Sequence, residues 1–389
     1  MIGDKVSDFA TFDFGLDEAQ EQRAASLHSE AVIVDALFQG PVGYRVFDER
    51  MNKELRSRFE SHRDVLRGLT DGLAAPIREA IAGRLDAVKQ HWDESGITCG
   101  NRQVELGLEW LRDFTFGHAQ LQFDHFDWLV KARTAGDIRR AKAEGKHAGL
   151  VNTQVLAGPW RDLDALGYYH EFGMRMCQLT YNFMTRVGAG CTERSDAGLS
   201  TFGVASVKAM NELGVMVDTG HVGRQTTLDA CEVSSAPVVA SHTAAQGVYD
   251  HARGKSDDEL RAIAQTGGVV GIVTVPFFLG AGSEVDMNTF LDHIEYVAEV
   301  AGVDAVCIGT DWPMQLPEWM SIEIMQPLSV EIGFRPQDGV VATQTLVGFD
   351  DYRDFPNITR GLVGRGWSDD DIFKVLGENF LRVMEQVCG

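Results

Sequence analysis

From about residue 140 onward one unit recurs along the chain. A short β-branched run closes on a polar residue, and a helical pattern follows. The runs are Ala148–Gln154, Met174–Tyr181, Val215–His221, Pro237–His242, Gly268–Val275 and Ala305–Asp311. Continuous apolar runs of this length, alternating with amphipathic helices, are what strands buried on both faces require. Helical intervals fall at Gly203–Leu213, Gln225–Val233, Asp257–Gln265 and Asn288–Ala301, and Ser256 with Glu259 reads as an N-cap and its capping-box acid. Ala31–Leu37 and a weaker candidate, Ser95–Asn101, bring the strands to eight. Eight strands with helical crossovers predict an α/β chain folded as a closed (β/α)8 TIM barrel rather than an open sheet. The stretch 40–94 is mostly helical and charged (Phe47–Leu69, Ile77–Trp92) and reads as an insertion over the barrel mouth. Two further helices are expected over Tyr352–Val387, one capped by Ser368. Residues 1–389 are expected to form a single barrel domain.

Charge and composition exclude several roles. With 35 Lys+Arg against 57 Asp+Glu, the net charge is −22. Nucleic acid and anionic membrane surfaces are therefore not expected partners, since both would repel the molecule's overall field. The longest uncharged stretch, Ala262–Ser283, is broken by Gln265, Thr266, Pro276 and several glycines, so a strand and loop fit it better than a membrane span. The first residues carry no apolar signal-peptide core. The six cysteines show no CxxC spacing. Free thiols and a cytoplasmic location are the expectation.

In a barrel of this kind the active site lies at the C-terminal ends of the strands. Those positions here are Leu37 with Gln39, Asn101, Gln154, Tyr181, His221, His242, Pro276 and Asp311. His221 and His242 end successive strands, so two imidazoles stand side by side, a pairing that suits a first-row metal when a third ligand completes it. Taken singly, each is as readily a hydrogen-bonded core histidine. Asp311, in Ile-Gly-Thr-Asp-Trp, can take a proton from water or give one to a leaving amine, or simply cap the next turn. Arg253, on the loop after the His242 strand, can grip a carboxylate or lie solvated on the surface. Tyr181 can orient an oxyanion or pack.

These residues sit in longer motifs: Gly198-Leu-Ser-Thr-Phe-Gly203, Met210-Asn-Glu-Leu-Gly214, Val217-Asp-Thr-Gly-His221, Ala236-Pro-Val-Val-Ala-Ser-His242, Gly267-Gly-Val-Val270, Ile308-Gly-Thr-Asp311 and Gly377-Glu-Asn-Phe-Leu-Arg-Val383. In these the chain resembles the renal or membrane dipeptidase family, peptidase family M19, over about residues 25–389. The resemblance implies an amidohydrolase-like barrel, two zinc ions bridged by a carboxylate, and hydrolysis of dipeptides, often with a D-residue on the C-terminal side. It places the two metal-binding histidines on His221 and His242, the catalytic aspartate on Asp311 and the substrate-carboxylate arginine on Arg253. It also exposes departures. The family's first strand ends in His-x-Asp, where this chain has Leu37 and Gln39; the bridging glutamate falls on Gln154, and a further histidine falls on Tyr181.

Two adjacent zinc ions repel, and carboxylate ligands offset that repulsion. Gln39 and Gln154 remove two negative charges, and Leu37 removes a nitrogen donor. A binuclear centre is therefore not expected. One zinc or similar divalent ion on His221, His242 and Gln154 remains open, as does no metal at all. The expectation is a divergent dipeptidase-like hydrolase of an amide, dipeptide-like or other small carboxylate substrate with at most one metal, with Gln154, Tyr181 and Arg253 contacting substrate. The alternatives are metal-independent acid–base chemistry on the same barrel (a lyase, isomerase or hydrolase) and a non-catalytic relative. The insertion and the Gly280–Asp286 loop are expected to shape the pocket, and Met184, Phe277 and Trp312 to make its mouth apolar. A homodimer is the expected assembly.

Overall fold

The structure, a computed structural model, describes residues 9–39, 46–103, 109–156, 163–313 and 316–389. Ten strands are present among them: β1 (Val34–Phe38), β2 (Cys99–Gln103), β3 (Leu129–Lys131), β4 (His147–Thr153), β5 (Met174–Gln178), β6 (Met216–Asp218), β7 (Val238–Ala245), β8 (Gly254–Lys255), β9 (Val269–Ile272) and β10 (Val306–Ile308). All the pairings between them are parallel. Eight strands close a ring in the order β1, β2, β4, β5, β6, β7, β9, β10 and back to β1, the β2–β4 and β1–β10 pairings sealing it. The molecule is a (β/α)8 barrel. The short β3 hangs on the edge of β4, and β8 pairs only with the mouth end of β7.

The observed strands are shorter than the apolar runs that announce them. The run Val215–His221 is paired only over Met216–Asp218, and Ala305–Asp311 only over Val306–Ile308. The cause is local. Beyond β6 the Asp218 carboxylate accepts the Gly220 N–H at 3.0 Å and folds the backbone into a turn, and beyond β10 the Thr310 N–H donates to the Asp35 carboxylate of β1 at 2.9 Å instead of to a neighbouring strand's backbone. The mouth residues therefore stand on turns anchored to rigid strands.

The insertion after β1 contains three helices, Glu49–His62, Val65–Ile81 and Ala87–Ser95, and residues 40–45 of it lie outside the described residues. The expected unbroken helix Phe47–Leu69 is cut because Arg63 takes a left-handed conformation (φ 49°) and Asp64 caps the next helix through the Arg67 N–H. Glycines let this next helix approach its neighbour: a Cβ on Gly68 would stand 2.8 Å from Ile324 Cδ1. Gly72 sits against Met320 in the same way. Helix Val65–Ile81 is thereby laid along the segment Glu318–Glu331, forming a roof over the barrel mouth. The expected pair of C-terminal helices is a set of short helices over Pro356–Cys388, ending in Asn379–Cys388, which buries Phe380, Leu381, Val383 and Met384 against the barrel.

Candidate active site

His221 lies beyond the end of β6 and is buried. Its Nδ1 is 2.8 Å from Asn182 Oδ1, and the Asn182 amide nitrogen donates to Ile332 O at 2.9 Å. That second bond fixes which end of the amide faces the ring, so Nδ1 carries the proton and Nε2 the lone pair. Nε2 is buried with no hydrogen-bond partner among the described residues. The Tyr181 ring stacks on His221 at 3.8 Å between centroids, in the place where the family resemblance puts another histidine.

His242, in β7, reaches the same arrangement by a different route. Its Nδ1 is 2.7 Å from Ser241 Oγ, which donates to Asp218 Oδ2 at 2.6 Å. Asp218 accepts two further N–H groups, from Ser241 at 2.8 Å and Gly220 at 3.0 Å. A carboxyl group taking three donors is acting as a carboxylate, so the Ser241 proton points to it and the hydroxyl accepts from His242 Nδ1–H. His242 Nε2 is left as the lone-pair nitrogen, with Gln154 Nε2 3.5 Å away. Both imidazoles are held well below the ordinary histidine range, first by burial and then by the nearby Arg253 and Lys255 charges, so both are neutral.

Asp311 completes the cluster. Candidate ligand atoms of His221, His242 and Asp311 all lie within 4.8 Å of one another. The Asp311 backbone is left-handed (φ 57°), a conformation Asp tolerates better than most residues, and its N–H is tied to Leu37 O at 2.9 Å. Burial pushes the Asp311 carboxyl up, while the hydrogen bond from Gln39 Nε2 to Oδ1 (2.8 Å) and the Arg253 charge pull it down.

A metal ion can be tested against this donor set. Two lone-pair nitrogens, one of them orphaned, and a carboxylate facing one point suit a single divalent ion. A second ion has no such set: Leu37 is fully buried and offers no donor, and Gln39 spends its amide on Asp311. Gln154 presents its nitrogen to His242, and turning the amide over would offer an oxygen instead.

Of the cluster, Asp311 lines a cavity of about 460 Å³, while His221 and His242 are not among the lining residues and His221 is stacked on the lining residue Tyr181. Gln39, Gln154, Tyr181 and Asp311 line its floor, and Phe277, Phe278 and Trp312 form one wall. Leu66, Leu69 and Leu73 of the insertion form the roof, so that expectation holds for the insertion. The Gly280–Asp286 loop and Met184 are not among the lining residues; Phe183 takes the place expected of Met184. Arg253 is not among them either. Its two terminal nitrogens donate to Gly220 O and to His242 O (2.8 Å), and its Cζ lies 5.2 Å from the Phe278 ring centroid. Asn182, Asp218 and Ser241, which set both tautomers, are not among the residues expected from the sequence, although Asp218 and Ser241 lie inside its motifs and Asn182 directly follows Tyr181.

The sequence model of the membrane dipeptidase family (Peptidase family M19) matches residues 21–335 and 328–388. The chain belongs to the membrane dipeptidase family. It is accordingly a hydrolase, in a family whose members are typically metal-dependent. Among solved structures it is similar to an amidohydrolase from Pseudomonas aeruginosa, at 28% identity over 94% of this chain and 99% of that one, with a TM-score of 0.76. The same barrel is found in the probable dipeptidase PvdM from Pseudomonas aeruginosa (19% identity, 96% and 99% covered, TM-score 0.71). It is found again in a metallo peptidase from Rhodobacter sphaeroides liganded with a phosphinate mimic of the dipeptide L-Ala-D-Ala (18% identity, 92% and 100% covered, TM-score 0.69). No described helix of this membrane dipeptidase family member is long and apolar enough to cross a membrane.

Proposed function

We propose that this protein hydrolyses an amide or dipeptide-like bond, or a related small carboxylate substrate, using at most one divalent metal ion, zinc or a similar one. The observation that carries the reading is the convergence of two neutral, Nε2-lone-pair histidines with Asp311, beneath an apolar cavity, at the positions where the family resemblance puts metal ligands and catalytic carboxylate. His221, His242 and Asp311 would hold the ion, with Gln154 as a neutral amide beside them. A bound ion of this kind polarises a carbonyl and makes water more acidic. The protein's own groups do the rest. Asp311 receives a proton from the attacking water and returns it to the leaving nitrogen, a role that suits a buried carboxylate held by Gln39 at the cavity floor. Tyr181 and Gln154, on the cavity floor, orient the scissile carbonyl. The Phe and Leu walls exclude bulk water and select an apolar substituent.

The experiment is elemental analysis of protein purified without chelator, followed by a panel of L,L- and L,D-dipeptides and N-acyl amino acids assayed with and without chelator. Expected are up to one equivalent of zinc and turnover that chelator abolishes and His221→Ala removes. A second equivalent of zinc overturns the single-ion reading. Turnover indifferent to chelator transfers the reaction to metal-free acid–base chemistry, and no turnover on any amide leaves a binding protein. A cytoplasmic homodimer belongs to this reading, and light scattering tests the dimer.

A further inference from the structure

The cavity lining contains a cation that the reaction above does not use. Arg102, in β2, is half-buried and lines the same cavity as Asp311. Its Nη1 donates to Gln122 Oε1 on helix Glu109–His125, and no acidic side chain pairs with it among the described residues. Gln122 is itself 2% exposed and is steadied from its other end by His118 O at 3.3 Å. His118 Nε2 is buried and unpartnered among the described residues, and burial together with the Arg102 charge pushes that imidazole down to about 4. A guanidinium that is partly withdrawn from water and has no acidic partner among the described residues is placed to take an anion from the cavity. Burial pushes the Arg102 guanidinium down to about 10, partly offset by Tyr352.

Arg253, which the resemblance makes the carboxylate anchor, has both terminal nitrogens donating to backbone carbonyls and only its buried Nε without a partner among the described residues, whereas Arg102 faces the cavity directly. Resting on the hydrolase reading above, we propose that Arg102, supported by Gln122, binds the carboxylate of the substrate, so that the substrate is an apolar or aromatic N-acyl amino acid whose acid end points away from Asp311. The charge pattern sets this polarity. Asp311 repels an anion at the floor, whereas Arg102 attracts one at the wall. One guanidinium with a neutral amide beside it matches a monoanion, and a phosphate dianion would keep an uncompensated charge in an apolar enclosure.

The test uses the intact protein with N-benzoyl-L- and N-benzoyl-D-phenylalanine, each compared with its carboxamide. Binding is followed through tryptophan fluorescence, since Trp312 lines the cavity, and turnover is followed separately. A charge-assisted hydrogen bond implies that the free acid binds roughly ten- to a hundredfold tighter than the carboxamide. Arg102→Met should erase that preference by raising KM for the acid alone, and Arg102→Lys should restore part of it, with circular dichroism confirming that both variants fold. Equal binding of acid and carboxamide, a preference that survives in Arg102→Met, or no binding of either compound overturns the proposal. The two readings fail separately. Acid-selective binding without cleavage keeps the anchor and sinks the hydrolase assignment to this panel, while cleavage without acid selectivity does the reverse.

Discussion

Substituting Ser241 by alanine asks whether His242 is prepared by its neighbours. The hydroxyl stands 2.6 Å from Asp218 Oδ2 and 2.7 Å from His242 Nδ1, and alanine removes it while keeping the Ser241 N–H bond to Asp218. Asp218 then keeps two of its three donors. The lost bond to a buried carboxylate is worth about 1.5–3 kcal/mol, and an unsatisfied imidazole N–H costs about 1–3 kcal/mol more, so a loss of about 2.5–6 kcal/mol is expected. For a chain of 389 residues, with an unfolding entropy of about 2 cal/mol/K per residue, that corresponds to a Tm lower by about 3–8 °C. The decisive effect is on the ring. Without an acceptor at Nδ1, the tautomer with its lone pair at Nε2 loses its preference, and zinc affinity should drop about 10–100-fold. Chelator competition reads the affinity, and ¹⁵N chemical shifts of the histidine rings read the tautomer. A variant that is less stable but keeps wild-type zinc affinity and unchanged His242 shifts would refute the reasoning, because it would show that the hydroxyl only packs.

Three further changes probe the same architecture. Gln154→Glu places a carboxylate beside His242 Nε2 and should tighten zinc binding by about tenfold or more, while lowering the stability of the metal-free protein; unchanged affinity in chelator competition would show that Gln154 does not face the ion. Gly220→Ala would put a Cβ 2.8 Å from His242 Cε1 and 2.8 Å from Gln178 Oε1, so it should cost about 1–3 kcal/mol and displace the ring, lowering kcat far more than its effect on urea unfolding suggests. His28 is hydrogen-bonded to Thr359 Oγ1 (2.8 Å) and Ser95 O (3.1 Å), and burial holds its ring down to about 4. The unfolded chain therefore takes up this proton first, and the stability His28 contributes is whole above about pH 6.5 and lost as the pH falls toward about 4. His28→Gln should flatten the pH dependence of the urea midpoint across that interval; an unchanged slope would assign it to other groups.

The barrel was legible because parallel strands buried on both faces leave long apolar runs, and seven of the eight ring strands begin inside or at the edge of such a run. Cys99–Gln103 was the weak one, since Gly100, Asn101 and Arg102 dilute its apolar character. Leu129–Lys131 and helix Glu109–His125 went unread: the first spans three residues, and the second mixes apolar and polar side chains around its circumference. At the site, residue type and strand position were enough to bring His221, His242 and Asp311 together. What a linear reading could not supply was direction. Arg253 follows β7 at the right place for a substrate contact, yet its guanidinium turns toward the Gly220 and His242 carbonyls. Arg102 carries no motif, and only the fold shows that its strand end and the insertion share one cavity.

The roof over the mouth joins two pieces of chain that lie some 250 residues apart, Gly68 and Gly72 on one and Met320 and Ile324 on the other. Neither piece supplies His221, His242 or Asp311. Side chains along that glycine-lined seam can thus change in bulk, raising or lowering the ceiling over the cavity, while the cluster of His221, His242 and Asp311 keeps its alignment.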